Sequence, residues 1–507
     1  MATSTAVSSS NVAAVVGYLL AKGNFNTSNP ALPQSIAILG EASTTAQSGL
    51  STAGLMVTSA KAVGDVYGYK SPLYAMARIL FPLSGGGVTC PVTVYAQAEA
   101  SGAVAKVMTV TVTGTSTGSG THYVYIAGRT GIDGASYAIN IATGDTPTII
   151  AGKIKDVINN CLACPFTADN TLGVLTATAA WAGLTSNGLN ISIDTNGNSL
   201  GVSYAVATST AGAATPSVAA SLALFGNKWH TIVINGYGTV TTTMGELETF
   251  NGIPSITNPT GRFNPTLFKP FIALTGTVAD DPSSITDTRK ANQTIAPCPA
   301  SLSAGQHYEA AANYAVVYSK IAQDTPHLDV LNSVLPDMPA PAIGASEPAM
   351  NNYTTRDSYV KKGCSTAILE AGVYKIQDFV TTYHPDGEVP PQYRYPRDLN
   401  IDFNAEYAYR LLVQQYQVGM SIANDNDIVS VQDVIKPKQW KAIVAGFYED
   451  FTKRALFADL AFGVASIDVS IDTQNPNRMN TVYSYKRTGV TRISANTAKA
   501  GFNVGQL

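Results

Sequence analysis

The spacing of apolar positions changes several times along the chain, and those changes divide it. Residues 12–20 are one apolar piece, Val12-Ala-Ala-Val-Val-Gly-Tyr-Leu-Leu20, inside a Ser/Thr/Asn-rich stretch closed by Pro30 and Pro33. The piece is too short for a core helix and reads as an extended arm. From Ile36 short apolar runs alternate with helical patterns. Strands are predicted at 36–39, 55–58 and 92–95, and a helix opens at Ser71-Pro72, the serine as N-cap and the proline as first helical residue.

From about 104 to 208 the period becomes two. Strands are predicted at 108–112, 123–126, 175–178 and 191–193, with Gly/Ser/Thr/Asn turns between them. One helix interrupts them, opened by Thr146-Pro147, with Ile150, Ile154, Val157, Ile158 and Cys161 on a single stripe. After Ala211 the mixed pattern returns, with a helix at 217–224, strands at 231–234 and 270–274, and a long helix over 307–323. The β-rich stretch is therefore an insert within one domain.

A Pro-rich connector, Leu335-Pro-Asp-Met-Pro-Ala-Pro341, precedes the most helix-forming region, where Trp440, Val444, Phe447 and Phe451 recur as a buried seam. Strands at 467–471 and 481–485 and an extended segment at 489–493 follow. The expected fold class is an α/β (α+β) multidomain chain. Its parts are an N-terminal arm (1–34), a middle α/β domain (35–103 and 209–300), a β-rich insert (104–208), an inner C-terminal α/β domain (301–488) and a C-terminal arm (489–507).

Composition sharpens this picture. Charged residues make up 13% of the 507, about half the usual share, although 45% are hydrophobic. No apolar run approaches the roughly 18 residues needed to span a bilayer, so membrane insertion is not expected. A surface so poor in charge is expected to be covered by further copies of the chain. The net charge of -3 offers no basic field for nucleic acid. Lys22, the first basic residue, follows the first apolar piece, the reverse of a secretory signal, so a non-secreted protein made in a cytosol is expected. Five dispersed cysteines, Cys90, Cys161, Cys164, Cys298 and Cys364, form no disulfide framework.

Candidate chemistry is sparse. Cys161-Leu-Ala-Cys164 has metal-ligand spacing but no second pair and no nearby histidine. His122, His230, His307, His327 and His384 are scattered, and none stands in a metalloprotease or nucleophile motif. Asp280-Asp281 precedes Pro282 and reads as a capped turn rather than an acid/base dyad. The Gly-rich loops at 84–87 and 117–120 lack the Lys-Ser/Thr ending that holds phosphate. The expectation is a non-enzyme with no catalytic residue, metal or cofactor.

The two ends are more informative. Residues 473–507 hold Arg478, Lys486, Arg487, Arg492 and Lys499 and no acid. An extended end must pair its N–H and C=O groups with a sheet edge, in its own fold or in a neighbour's. Both readings stay open on the pattern alone; the charge deficit favours donation to neighbours by β-augmentation.

Four segments carry a family likeness. The first runs from Val57-Thr-Ser59 through Asp65-Val-Tyr-Gly68 to Ser71-Pro-Leu-Tyr-Ala-Met76. The second comprises Tyr123-Val-Tyr-Ile-Ala-Gly128, Ala142-Thr-Gly-Asp-Thr146, Leu175-Thr-Ala-Thr178 and Gly188-Leu-Asn-Ile-Ser192. The third is Phe225-Gly-Asn-Lys-Trp-His-Thr-Ile-Val-Ile-Asn235, with Gly236 where proline is usual. The last comprises Val373-Tyr-Lys-Ile376, Val380-Thr-Thr-Tyr383, Val434-Ile-Lys-Pro-Lys438 and Asn475-Pro-Asn-Arg478. In this order they resemble the Mu-like family of contractile phage tail sheath proteins, the loop at 387–395 being the main departure.

The resemblance implies a structural subunit of the virion tail, assembled in the host cytoplasm. It would form six-fold rings with itself, stack them into a helical sheath around the tail tube protein, and meet baseplate and tail terminator proteins. Contraction would drive the tube through the host envelope for genome delivery, with no direct nucleic-acid contact. On this reading Val12, Val15, Val16, Tyr18, Leu20, Val490, Arg492 and Ile493 form inter-subunit strand arms. Ile467, Val469, Ile471, Val482, Tyr483 and Tyr485 belong to the acceptor strands, and Lys438, Lys441, Lys453 and Arg454 are the candidate tube contacts. The alternative is a β-rich adhesin or virion decoration protein that binds host surface glycans through the insert.

Overall fold

The structure, a computed structural model, describes residues 31–500. These divide into two compact units, Leu32–Tyr407 with the segment from Arg487 on, and Ala408–Lys486. The first unit is built on a six-stranded sheet in the order Ile295–Pro299, Ile272–Thr277, Ile232–Asn235, Ile36–Glu41, Val92–Gln97, Leu55–Val57. Five strands run parallel and Leu55–Val57 is antiparallel at one edge. The five parallel strands are buried throughout, as a sheet covered on both faces requires.

One face packs Ile36, Ile38, Ile232 and Leu274 against helices Pro72–Leu80 and His307–Asp324. The other packs Ala37, Leu39, Val233 and Ala273 beneath Leu222, Met244 and Leu247 of helices Ala219–Ala223 and Thr241–Asn251. Ser71 caps its helix as predicted, its Oγ accepting the Tyr74 N–H at 3.1 Å. Gly276 lets the long helix lie against the sheet backbone, because a Cβ there would stand 1.7 Å from the His307 carbonyl oxygen.

The β-rich stretch forms an antiparallel four-stranded sheet and a three-stranded sheet. Helix Pro147–Asn160 buries Ile150, Ile154 and Ile158 in the same core. The last strand, Ser203–Thr210, runs past the expected limit at 208, and the insert closes where Val104 and Ala213 exchange backbone hydrogen bonds at 3.1 Å.

The expected boundary at residue 301 needs correction. Helix His307–Asp324 and the hairpin Thr366–Glu370/Val373–Asp378 belong to the first unit, and the chain divides within helix Pro396–Tyr416. The Pro-rich stretch that looked like a connector is clamped. The Asp337 N–H donates to Asn313 Oδ1 at 2.8 Å, and its carboxylate takes Arg78 and Arg129 at 2.7 and 2.6 Å. Proline there fixes an extended path across the unit rather than freeing a linker.

The Ala408–Lys486 unit is held by rings. Trp440, Val444, Phe447 and Phe451 of helix Pro437–Lys453 form the predicted buried seam. Phe447 meets Phe451 at 4.5 Å, Phe457 stacks on Tyr485 at 4.4 Å, and Trp440 Nε1 donates to Thr481 Oγ1 at 3.0 Å. Its sheets are two-stranded: Ser421–Ile422 pairs with Val434–Ile435, and Asp468–Ile471 with Met479–Val482.

Candidate assembly surfaces

Three features of the surface bear on assembly. The first is the hairpin Asp468–Ile471/Met479–Val482. Ile467 lies buried just ahead of the first strand, while Val469 and Ile471 lie within it. The second strand is shorter and earlier than the predicted 481–485: it ends at Val482, and Tyr483 and Tyr485 lie beyond it in the ring cluster. Tyrosines at alternate positions imitate strand periodicity, but here they serve packing. Each strand has one ladder neighbour, so the hairpin's outer edges carry no partner strand among the described residues.

The second feature is the segment after Lys486. Residues 488–500 form no strand, so the predicted extended piece is not part of any sheet within the described residues. Residues 489–500 make no backbone–backbone hydrogen bond with the described residues. Their side chains tell a different story. Arg487 Nε meets Asp402 Oδ1 at 2.7 Å, with a second contact between the same groups, and its Nη1 donates to the Gln392 carbonyl at 2.9 Å. Arg397 holds Thr488, its Nη2 donating to Oγ1 at 2.8 Å. Arg492 pairs with Asp329, a carboxylate only 3% exposed, and lies 3.9 Å over the Tyr395 ring. Burial pushes the Asp329 carboxyl above its ordinary range, and Arg492 opposes that rise. Val490 is half-buried, whereas Ile493 is 83% exposed.

The third feature is helix Pro437–Lys453. Lys438 and Lys441 are exposed at its start. Lys453 pairs with Glu449 at 2.8 Å, and Arg454 reaches Asp450 at 3.6 Å while lying over Phe451. Two of the four candidate tube cations are thus tied to acids one turn back, a pairing that their i,i+4 spacing announces. Val12, Val15, Val16, Tyr18 and Leu20 lie outside the described residues.

Sequence reasoning missed the polar seam beneath the insert. Glu41, the last residue of its strand, is 1% exposed; one carboxylate oxygen accepts from Thr185 of the insert and the other has no partner. Burial pushes its carboxyl up to about 8, Thr185 works against that and the Glu99 carboxylate adds to it. Glu99 accepts the Ala182 N–H at 2.9 Å. Arg129 of the insert reaches Glu309 at 3.1 Å and Asp337 at 2.6 Å. The only prior hint was an acid closing an otherwise apolar strand.

The groups weighed for catalysis are placed in the interior or in turns. All five cysteines are buried and unpaired by disulfides, and burial raises the Cys164 thiol to about 11, which suppresses the reactive thiolate. Asp281 caps Ser283 at 2.9 Å, and Asp280 accepts from Ser301 and from the Ala349 N–H. No group of three or more metal-ligating side chains occurs among the described residues. No described helix is long and apolar enough to cross a membrane.

No protein-family model matches the sequence, and no curated protein matches it. Several solved structures resemble the chain. The sheath tail protein of Listeria innocua aligns at 10% identity with a TM-score of 0.45, over 92% of this chain and 94% of its own. That of Desulfitobacterium hafniense aligns at 10% identity with a TM-score of 0.44, over 93% and 99%. A chain of the contracted helical sheath of the anti-feeding prophage aligns at 10% identity with a TM-score of 0.42, over 97% and 99%.

Proposed function

We propose that this chain is the structural subunit of a contractile tail sheath, a non-enzymatic protein that polymerises in rings around a tube and shortens to drive it forward. The observation that carries the reading is the strip at 489–500: twelve residues of extended chain with no backbone partner among the described residues. A backbone left open to water along that length is free to pair with a strand edge, and the hairpin Asp468–Ile471/Met479–Val482 offers open edges of the right kind. The part of a neighbour's strip from Ile493 on, laid on that edge, is the inter-subunit link. The ordered sequence landmarks from Val57 to Arg478 support the same reading, as does a chain with half the usual share of charged residues.

In this mechanism the strand links persist while side-chain contacts between copies exchange. Newly buried apolar surface, at about 25 cal/mol per Å², drives the collapse without nucleotide. The arm at 12–20 makes a second link, six copies close each ring, and the tube, baseplate and terminator proteins are the partners. Lys438 and Lys441 are the cations best placed for salt-sensitive contact with an acidic tube.

Electron microscopy of the purified protein tests this. Tubes or stacked rings are expected, and deleting residues 1–22 or 493–507 should abolish them while leaving circular dichroism unchanged. Discrete particles from the full chain would instead fit the adhesin alternative and sink the sheath reading.

A further inference from the structure

The strip after Lys486 is attached in an unusual way. Arg487 closes the short strand Lys486–Arg487 and the Thr488 carbonyl accepts from Arg397, but beyond them the side chains are docked while the backbone of 489–500 makes no backbone hydrogen bond with the described residues. Arg487 enters the Asp402 carboxylate, Arg397 grips Thr488, and Arg492 enters Asp329 beneath Tyr395. Exposure alternates along it: Val490 and Arg492 are half-buried, while Gly489, Thr491 and Ile493 are exposed. That is the period of an extended ribbon lying with one face on its own unit. Beyond Arg492 every described residue is exposed.

We propose that Arg487 and Arg492 are a side-chain latch that pins residues 487–492 to their own subunit and fixes Ile493 as the point where the connecting arm departs. The inference rests on the sheath reading for its use, but the latch itself is a property of the single subunit. Arg492 is then an anchor, not a member of the donated strand. Both anchoring acids are largely shielded, Asp329 at 3% and Asp402 at 15% exposure, so each arginine has a partner that water screens poorly. Because residues 489–492 are held by side chains, their N–H and C=O groups remain open to a neighbour's strand without the strip leaving its seat. Opening the Arg492 anchor would lengthen the free connector by the four residues 489–492, about 13 Å of extended chain. A latched connector therefore has a set length, which a lattice whose subunits move while linked requires.

The test uses the full-length unassembled subunit, limited trypsin digestion and amide hydrogen exchange. In the wild type, cutting after Lys499 should be at least tenfold faster than after Arg492, although amides at 489–500 exchange as fast as in a free peptide. Asp329→Asn should erase the protection at Arg492, and Asp402→Asn that at Arg487, with circular dichroism and cutting elsewhere unchanged. Should Asp329→Asn fold poorly, Arg492→Ala replaces it, with thermolysin reporting the bond before Ile493, cut at least tenfold faster than in the wild type. Equal cutting after Arg492 and Lys499 in the wild type overturns the latch, as do unchanged protection in the variants or slow exchange at 489–500. Microscopy separates the two ideas. Protection without polymers keeps the latch and discards the sheath, and polymers without protection do the reverse.

Discussion

The two compact units are built around different kinds of sheet. In the first, five parallel strands and an antiparallel edge strand form one sheet, each inner strand paired on both sides and both faces covered by helices. In Ala408–Lys486 the strands come in pairs, each with a single neighbour, and cohesion comes from Trp440, Phe447, Tyr448, Phe451 and Phe457. A six-stranded sheet that closes most of its hydrogen bonds internally is a scaffold. A unit that leaves strand edges open is suited to receive chain from outside.

The sharpest way to break this contrast is at the ring core. Trp440→Ala removes a fully buried indole and should cost about 3–5 kcal/mol. Calorimetry should show the loss in the smaller unit's transition, with the larger one unmoved; one shared transition, falling as a whole, would mean the two units are not independent.

Proton linkage tests the larger unit next. Burial holds His230 and His307 neutral, down to about 4, so the unfolded chain takes up protons first and stability falls as pH drops below about 6.5. Glu41, raised to about 8, acts on the other side. Its folded form keeps a proton that the unfolded chain releases from about 4.5 upward, so stability is lost as pH rises towards 8. The three groups together place the stability maximum near pH 6.5. Glu41→Gln should flatten the alkaline side, by up to about 1.4 kcal/mol for each pH unit. Melting curves from pH 5 to 9 check this, and an unchanged alkaline slope in Glu41→Gln would remove Glu41 as its source.

The smallest effect is expected at Lys453. Its pair with Glu449 is exposed at both ends, 71% and 56%, so Lys453→Ala should leave the melting temperature of the smaller unit in place. A clear drop would show that surface charge, not rings, holds that unit.

Periodicity and punctuation made much of this readable beforehand. Ser71-Pro72 marked its helix because the cap is local chemistry, and Trp440, Val444, Phe447 and Phe451 marked theirs because a helix repeats every few residues. Local signals failed where distant chain took over. Leu335–Pro341 looked like a linker until Asn313, Arg78 and Arg129 were seen to grip Asp337. Tyr483 and Tyr485 had strand spacing, but the neighbouring rings of Tyr409 and Phe457 claimed them.

By itself the sequence determined the alternation of strand and helix, the β-rich run between about 104 and 208 and a charge content half the usual, since these follow from residue type and spacing along the chain. Tertiary structure alone decided which acids meet partners distant in sequence. Glu41 under Thr185, Arg129 between Glu309 and Asp337, and Arg492 in Asp329 join positions far apart in sequence. No periodicity records such pairs, because an ion pair depends on distance and burial after the chain has closed on itself.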